Sequence, residues 1–383
     1  MSIKTAVRIL FFIAAYRLHR CFGKVREDRV FFVTDASDEL HGNMKCIHDA
    51  LKDRGLDIMI YCRAKQLHSR TSADVTAVAK GLASAKYIFL EDVLDYLEFI
   101  DPAENQEIIQ LWHGAGAFKM FGFSRPDGAA GKVRVSKGHR KYTKAITSSR
   151  KINWCYAQAF DISENKVAAT GIPRTDIFFD DEYKARVREK FAADHPDAAG
   201  KKIILFAPTY RGNRISEAGY DMGKLDLGRL KAQLGDEYRV IFKWHPAAYR
   251  NMQAHGSGYD LRAYDGYFMD RSDADINELL VAADVLVTDY SSVIFEFALM
   301  DKPIVFYTYD LDEYISERGL YYPFDRYVYG RTAVSQNELA DAILAEDTMP
   351  DKRKDFREMF MDACDGGSTE RVMNLIFNEN SDN

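Results

Sequence analysis

From residue 29 onward the chain repeats one pattern: a short run of nearly continuous apolar residues, then a stretch with helical spacing. The runs that predict strands are Arg29–Thr34, Asp57–Cys62, Lys86–Leu90, Glu107–Trp112, Ala145–Ser148, Lys202–Ala207, Tyr238–Trp244, Val285–Thr288 and Pro303–Tyr307. Apolar side chains at successive rather than alternate positions mark strands buried on both faces of a parallel sheet. Helix-like patterns fall between them, at Asn43–Arg54, Asp181–Phe191, Leu225–Leu234, Ile276–Ala282 and Val293–Met300. Repeated strand–helix–strand units predict an α/β protein with two doubly wound halves. The border is expected within 171–200, where Gly171-Ile172-Pro173-Arg174 closes one unit and a charged helix precedes the next strand. The reading is an amphipathic segment at 1–22, a first domain at 23–180 and a second at 181–383. The last helix, Ser368–Phe377, is placed so that it could cross back to the first half.

Charge and cysteine usage exclude several classes. With 52 Lys+Arg against 58 Asp+Glu, a net −6, the chain carries no global electrostatic footprint for nucleic acid, and none is expected as a partner. Cys21, Cys46, Cys62, Cys155 and Cys364 are scattered and form no CxxC pair. That fits core thiols rather than a zinc ribbon or a disulfide framework. No metal site is read from the sequence; the acidic stretch Asp270–Asp275 reads as a solvated loop.

The first 22 residues join an apolar run, Ile9–Tyr16, to Lys4, Arg8, Arg17, His19 and Arg20. A spanning helix needs about 20 apolar residues, and the residues after the run are not the small ones of a cleavage site. Two readings stay open: a basic helix in the headgroup layer of an anionic membrane, or an amphipathic helix packed on its own domain.

The most informative stretch is DVLVTDYSSVIFEFALMDKPIVFY at 284–307. A buried strand ends at Thr288, Asp289-Tyr290-Ser291-Ser292 makes the turn, and a helix starts at Val293. In an open α/β sheet, ligands bind beyond the carboxyl ends of the strands, and a helix amino terminus there favours anions. Capping by a serine is the simpler alternative. Two further strand ends carry polar groups: His245-Pro246 after Tyr238–Trp244, and Arg211 in Ala207-Pro208-Thr209-Tyr210-Arg211. Together they predict a diphosphate pocket with Arg211 and His245 as charge stabilisers. Neither GxxxxGK[ST] nor GxGxxG accompanies it, so ATPase and NAD readings lose their main support.

In the first half, LWHGAGAFKMFGFSR at 111–125 reads as a strand end, a Gly-rich turn and a short helix. His113 sits where the strand stops, and Gly114 and Gly116 permit close approach of a ligand to the backbone. An imidazole there is a candidate base for a hydroxyl proton. Lys119 and the loop Asp38–Asn43 are candidates to line the same side, the loop through Asn43.

The set LWHGAGAFKMFG (111–122), TGIPRTDI (170–177), LFAPTYR (205–211), KWHP (243–246), DVLVTDYSSVIFEF (284–297) and IVFYTYDLDEYISERGLYYPFD (304–325) resembles the CDP-glycerol glycerophosphotransferases. These are the teichoic-acid primases and polymerases, and the likeness runs in order over roughly residues 105–375. The resemblance implies a GT-B-like fold, two Rossmann-like domains facing a cleft, at the cytoplasmic face of the membrane as a peripheral protein. It implies transfer of a polyol phosphate, glycerol phosphate first, from a CDP-polyol to a hydroxyl of a lipid-linked or glycan acceptor, with release of CMP. By position, His113 would be the general base and His245 its catalytic counterpart on the donor. Arg211, Ser291, Ser292 and Asp289 would hold the donor diphosphate, and Glu296 would approach the ribose or polyol. Gly114, Lys119 and Asn43 would lie on the acceptor side. No tightly bound cofactor is implied, CDP-glycerol being a substrate, and Mg²⁺ on the donor diphosphate stays open. Ala115-Gly116-Ala117-Phe118-Lys119 departs from the Thr-Pro-Leu-Lys that many members carry after the His-Gly pair, which leaves the polyol and acceptor open. The competing readings are a GT-B glycosyltransferase using a CMP- or other nucleotide-sugar, and a non-catalytic, membrane-associated anion-binding scaffold.

Overall fold

Among the described residues, twelve parallel-paired strands build two sheets, and the most apolar runs lie at their centres. The structure, a computed structural model, describes residues 3–64, 69–126, 134–212, 217–256 and 259–377, with backbone only at 317–318. Residues 1–2 and 378–383 of the expected terminal segments lie outside that range. The chain forms two compact units. One runs to Asp176 and resumes at Phe360; the other is Ile177–Met359. The division thus falls slightly before the expected 180/181 border, and the second unit ends at Met359 rather than at 383.

In the first unit, β1 (Arg26–Thr34), β2 (Asp57–Cys62), β3 (Ala85–Leu90), β4 (Glu107–Gln110), β5 (Lys144–Ile146) and β6 (Val167–Ala168) are ordered β2-β1-β3-β4-β5-β6. Val30 and Phe32 of β1 pack against Met44, Ile47 and Leu51 of the helix Gly42–Leu51 and against Val372, Met373 and Ile376 of the helix Ser368–Phe377. That last helix is tied in at its start, where the Asp176 carboxylate accepts from the Ser368 and Thr369 N–H groups at 2.9 and 2.8 Å. On the other face of β1, the helix Ser72–Ser84 comes so near Phe31 that a Cβ on Gly81 would stand 2.4 Å from the ring.

The helix Ile3–Phe22 uses both of its faces. Ile9, Phe12 and Tyr16, spaced three and four apart, are buried. Phe12 lies 4.2 Å from the Tyr96 ring, and the Tyr16 hydroxyl donates to the Asp101 carbonyl. Ile3, Val7, Leu10, Leu18 and Phe22 are exposed. No described helix is long and apolar enough to cross a membrane.

In the second unit, β7 (Lys202–Phe206), β8 (Tyr238–Phe242), β9 (Phe268–Asp270), β10 (Val285–Thr288), β11 (Ile304–Tyr307) and β12 (Arg331–Ala333) are ordered β12-β11-β10-β7-β8-β9. Read in either unit, the strand order reverses at one place, between β1 and β3 or between β7 and β10. Such a switch point parts two neighbouring strand-end loops and opens a crevice there.

Candidate functional site

Asp92 and His113 leave neighbouring strands, β3 and β4, in the first unit. His113 Nδ1 lies 2.8 Å from Asp92 Oδ1, and the histidine side chain is about half exposed. The imidazole stacks on the Trp112 indole at 4.3 Å, and the indole stacks in turn on Phe121 at 4.8 Å. Trp112 reaches this pose with φ +54, a left-handed conformation rare for a bulky residue. Holding it costs on the order of 1–3 kcal/mol. Its N–H donates to Gln110 Oε1 at 2.9 Å, and its carbonyl accepts from Asn43 Nδ2 at 2.7 Å. A proton on Nδ1, shared with Asp92, leaves Nε2 with its lone pair as the basic position.

The loop after His113 is extended and irregular as far as Phe121, where a 3-10 turn, Gly122–Ser124, takes the place of the expected short helix. The Tyr156 hydroxyl donates to the carbonyls of Gly114 and Gly116, and the Gly116 N–H donates to Ser148 Oγ. Gly114 and Lys119 are part-buried. Asn43 is fully buried, with its amide spent on the Leu111 and Trp112 carbonyls and on the Arg174 N–H. Expected on the acceptor side, it holds the Leu111 and Trp112 backbone next to His113. Its own N–H donates to Glu91 Oε1 at 2.8 Å. Burial pushes the Glu91 carboxyl up, against that hydrogen bond and the nearby charges of Arg174 and His41.

At the second switch point, the loops after β7 and β10 are joined by one carboxylate. Asp289 Oδ1 accepts from the Thr209 N–H at 2.7 Å and from the Tyr290 N–H at 2.6 Å. Asp289 Oδ2 lies 2.9 Å from Arg211 Nη1. Arg211 also donates from Nη1 to the Thr209 carbonyl at 2.7 Å and from Nη2 to Asp310 Oδ1 at 2.9 Å, with Nε directed to the same carboxylate. The Tyr290, Tyr309 and Tyr314 rings surround the guanidinium. Burial works against its charge, but the Asp310 hydrogen bonds and the Asp289 carboxylate hold it firmly protonated. Most of the fork is therefore occupied by partners within the protein, and Arg211, expected at the donor diphosphate, ties the loops after β7 and β10 to Asp310.

Ser291 and Ser292 follow on that loop, part-buried and exposed. Ser292 occupies the cap position of the helix Val293–Ala298, yet its side chain makes no cap hydrogen bond. The first helical N–H donors are those of Ile294 and Phe295, so the N–H groups of Ser291, Ser292 and Val293 have no intrahelical acceptor. Glu296 is only 5% exposed, in a helix buried from Ile294 to Ala298, and its charge raises the neighbouring Tyr329 hydroxyl, itself already pushed up by burial. Glu296, expected near the ribose or polyol, lies in this buried helix.

His245 caps the helix Pro246–His255. Its Nδ1 accepts from the Ala247 N–H at 3.1 Å, which assigns the ring proton to Nε2. The exposed imidazole rests against the Tyr210 ring at 4.7 Å. Behind it, Lys243 Nζ donates to the Ser272 and Ala274 carbonyls and pins the next loop. Among the described residues, no group of three or more His, Cys, Asp or Glu side chains is arranged to hold a metal ion.

Residues 14–378 match the sequence profile of the CDP-glycerol:poly(glycerophosphate) glycerophosphotransferases. The chain belongs to this family. Within it, the chain is 36% identical over 355 residues to the teichoic acid poly(ribitol-phosphate) polymerase of Bacillus spizizenii, which covers 92% of this chain and 56% of that protein. The chain therefore spans little more than half of that polymerase. It is 33% identical to the ribitol-phosphate primase of the same species, covering 95% of each. Among solved structures it is similar to the wall teichoic acid polymerase TagF, with a TM-score of 0.77, 20% identity, and 99% of this chain and 98% of that one covered. The α/β, GT-B-like class expected from the sequence is thus the one found.

Three functional residues escaped the sequence. Asp92, Glu91 and Asp310 are each defined by a partner on another strand end, and nothing local distinguishes them from surface carboxylates. The available signal was position, since each follows closely on an apolar run.

Proposed function

We propose that this chain transfers a polyol phosphate from a CDP-polyol to a hydroxyl of a teichoic-acid-type acceptor and releases CMP. The observation that carries the reading is the Asp92–His113 pair at a strand end of the first unit, an oriented imidazole with a basic Nε2. Family membership supports the reaction class. Relatives at 33–36% identity are named for ribitol phosphate and those at 25–30% for glycerol phosphate, which puts CDP-ribitol ahead of the CDP-glycerol implied by the motifs.

His113 Nε2 takes the acceptor hydroxyl proton as the oxygen attacks the phosphorus that bears the polyol. The bond from that phosphorus to the CMP oxygen breaks, and CMP leaves with the electron pair. Donors fixed in advance around the diphosphate stabilise the spread charge: the Nε2–H of His245, the Ser291 and Ser292 hydroxyls and the main-chain N–H groups beside them. Arg211, Asp289 and Asp310 keep that loop rigid. The reaction runs at the cytoplasmic membrane face, the exposed apolar stripe and basic residues of the helix Ile3–Phe22 resting in anionic headgroups.

The test is CMP release from purified full chain, with CDP-ribitol, CDP-glycerol and a CMP-sugar, each with a polyol-phosphate-terminated lipid. Turnover of a CDP-polyol with growth of the acceptor is the expected result. Turnover of the CMP-sugar alone, or of no donor, overturns the proposal.

A further inference from the structure

Two consecutive carboxylates at the end of β3 each meet a histidine from a neighbouring strand end. Asp92 holds His113 on the β4 side, and Glu91 lies 3.6 Å from His41 Nδ1 on the β1 side. The proposed reaction uses the first pair and leaves the second without a task.

His41 occupies the cap position of the helix Gly42–Leu51, but its side chain makes no cap hydrogen bond. Glu91 has taken over that duty by accepting from the Asn43 N–H. The turn is shaped around this substitute cap: Gly42 has φ +53, and a Cβ there would stand 2.4 Å from Glu91 Oε1. The Glu91 side chain is 4% exposed, the His41 side chain 51%. A buried carboxylate thus sits behind an exposed imidazole, 3.6 Å from its Nδ1. The Arg174 charge lies close enough to act on the same carboxylate.

His41 and His113 stand on either side of the β3 end through their contacts with Glu91 and Asp92. β1, β3 and β4 are successive neighbours in the sheet, so the ends of β1 and β4 lie two strand spacings apart, roughly 10 Å. That is about the reach of one polyol phosphate, from its terminal hydroxyl to the phosphodiester that joins it to the rest of the chain. We propose that His41, backed by Glu91, is a subsite for the acceptor's last phosphodiester and sets the attacking hydroxyl against His113. This rests on the transferase reading for the identity of the ligand, which is a polyol phosphodiester.

The test separates binding from turnover. Glycerophosphoglycerol and ribitol phosphodiester dimers are titrated calorimetrically into the full chain, beside the same compounds with a neutral methylphosphonate in place of the phosphodiester. Wild type is expected to prefer the charged probes, and His41→Gln to lose roughly 10- to 100-fold of that preference. His41→Lys should restore it, which a merely structural role for the ring would not predict. In turnover, His41→Gln should raise the acceptor KM and not the donor KM. Equal binding of charged and neutral probes by wild type, or an unchanged preference in a folded His41→Gln, overturns the subsite. Probe binding with no turnover of any CDP-polyol would instead fail the transferase reading and leave the subsite standing.

Discussion

Asp92 holds His113 by Nδ1, 2.8 Å from carboxylate to ring, while the Trp112 indole backs the same imidazole from one face. Fixed at an edge and along a face, the ring presents Nε2 in one orientation. His113→Ala is expected to lower CMP release by about 10²–10⁴-fold. Asp92→Asn keeps the size but offers an amide that can face the ring with the wrong group, and should cost about 10- to 100-fold in kcat at little change in donor KM. Steady-state rates across donor concentrations check both.

On the proposed reading, His245 acts on the other substrate. With Nδ1 accepting from the Ala247 N–H, the ring's donor is its Nε2–H. His245→Ala is expected to raise the donor KM by about 10-fold or more and to lower kcat as well. Equilibrium binding of CDP to wild type and variant gives the ground-state share of that loss.

Arg211 predicts a stability effect. Its guanidinium is bound by Asp289 and Asp310 inside a tyrosine cage. Asp310→Ala leaves a largely buried cation half-compensated and should destabilise the second unit by about 3 kcal/mol. Urea unfolding measures this directly. His245→Ala, which loses only a helix cap, should cost about 1 kcal/mol, so the larger unfolding effect belongs to Asp310 and the larger kinetic effect to His245.

His139 predicts a pH dependence. Burial among Trp112, Phe123, Tyr142 and Phe160 pushes its imidazole down to about 4. The unfolded chain, with an ordinary histidine, binds the proton first as pH falls. Stability is therefore complete above about 6.5 and is lost as pH drops towards 4, by on the order of 3 kcal/mol in all. Asp35, pushed up to about 6 by burial against the pull of Arg70, works in the opposite sense, since its folded state keeps the proton longer. The difference between wild type and His139→Phe isolates the histidine: the variant should show a shallower acid loss in urea midpoints taken from pH 7 to 4.

The helix Ile3–Phe22 predicts a surface effect. Replacing Val7, Leu10 and Leu18 by Asp removes exposed apolar area and adds negative charge. Binding to vesicles rich in phosphatidylglycerol should weaken at least about 10-fold. The buried Ile9, Phe12 and Tyr16 are untouched, so thermal unfolding should stay close to wild type. Vesicle co-sedimentation checks the first outcome and calorimetry the second.

The centres of both sheets were legible in the sequence, and three of their four edges were not. β6, β9 and β12 are two- or three-residue strands with a single neighbour, too short to carry an apolar run. His113, His245, Ser291 and Ser292 could be located at strand ends because a run points at each, whereas His41, seven residues beyond its run, could not. Roles that depend on a distant partner could not be placed. Arg211 looked like a free cation until Asp310, 99 residues away, was found to occupy it. Asn43 and Glu296 looked like surface groups at strand and helix ends until their burial was known. Trp112 gave no sign of its left-handed backbone, which is imposed by the hydrogen bonds of Gln110 and Asn43 on either side.

The first unit's core closes over the helix Ser368–Phe377, which the chain reaches only after passing through the whole of Ile177–Met359. On the ribosome the usual order of folding is then inverted. The later-made unit is contiguous and can finish as it emerges, whereas the earlier one waits, with Val30, Phe32, Met44 and Ile47 uncovered, for residues translated about two hundred codons afterwards. A nascent chain arrested before Phe360 should therefore be a chaperone client with one finished half, and the setting of His113, the proposed base, would be among the last features of the protein to come into being.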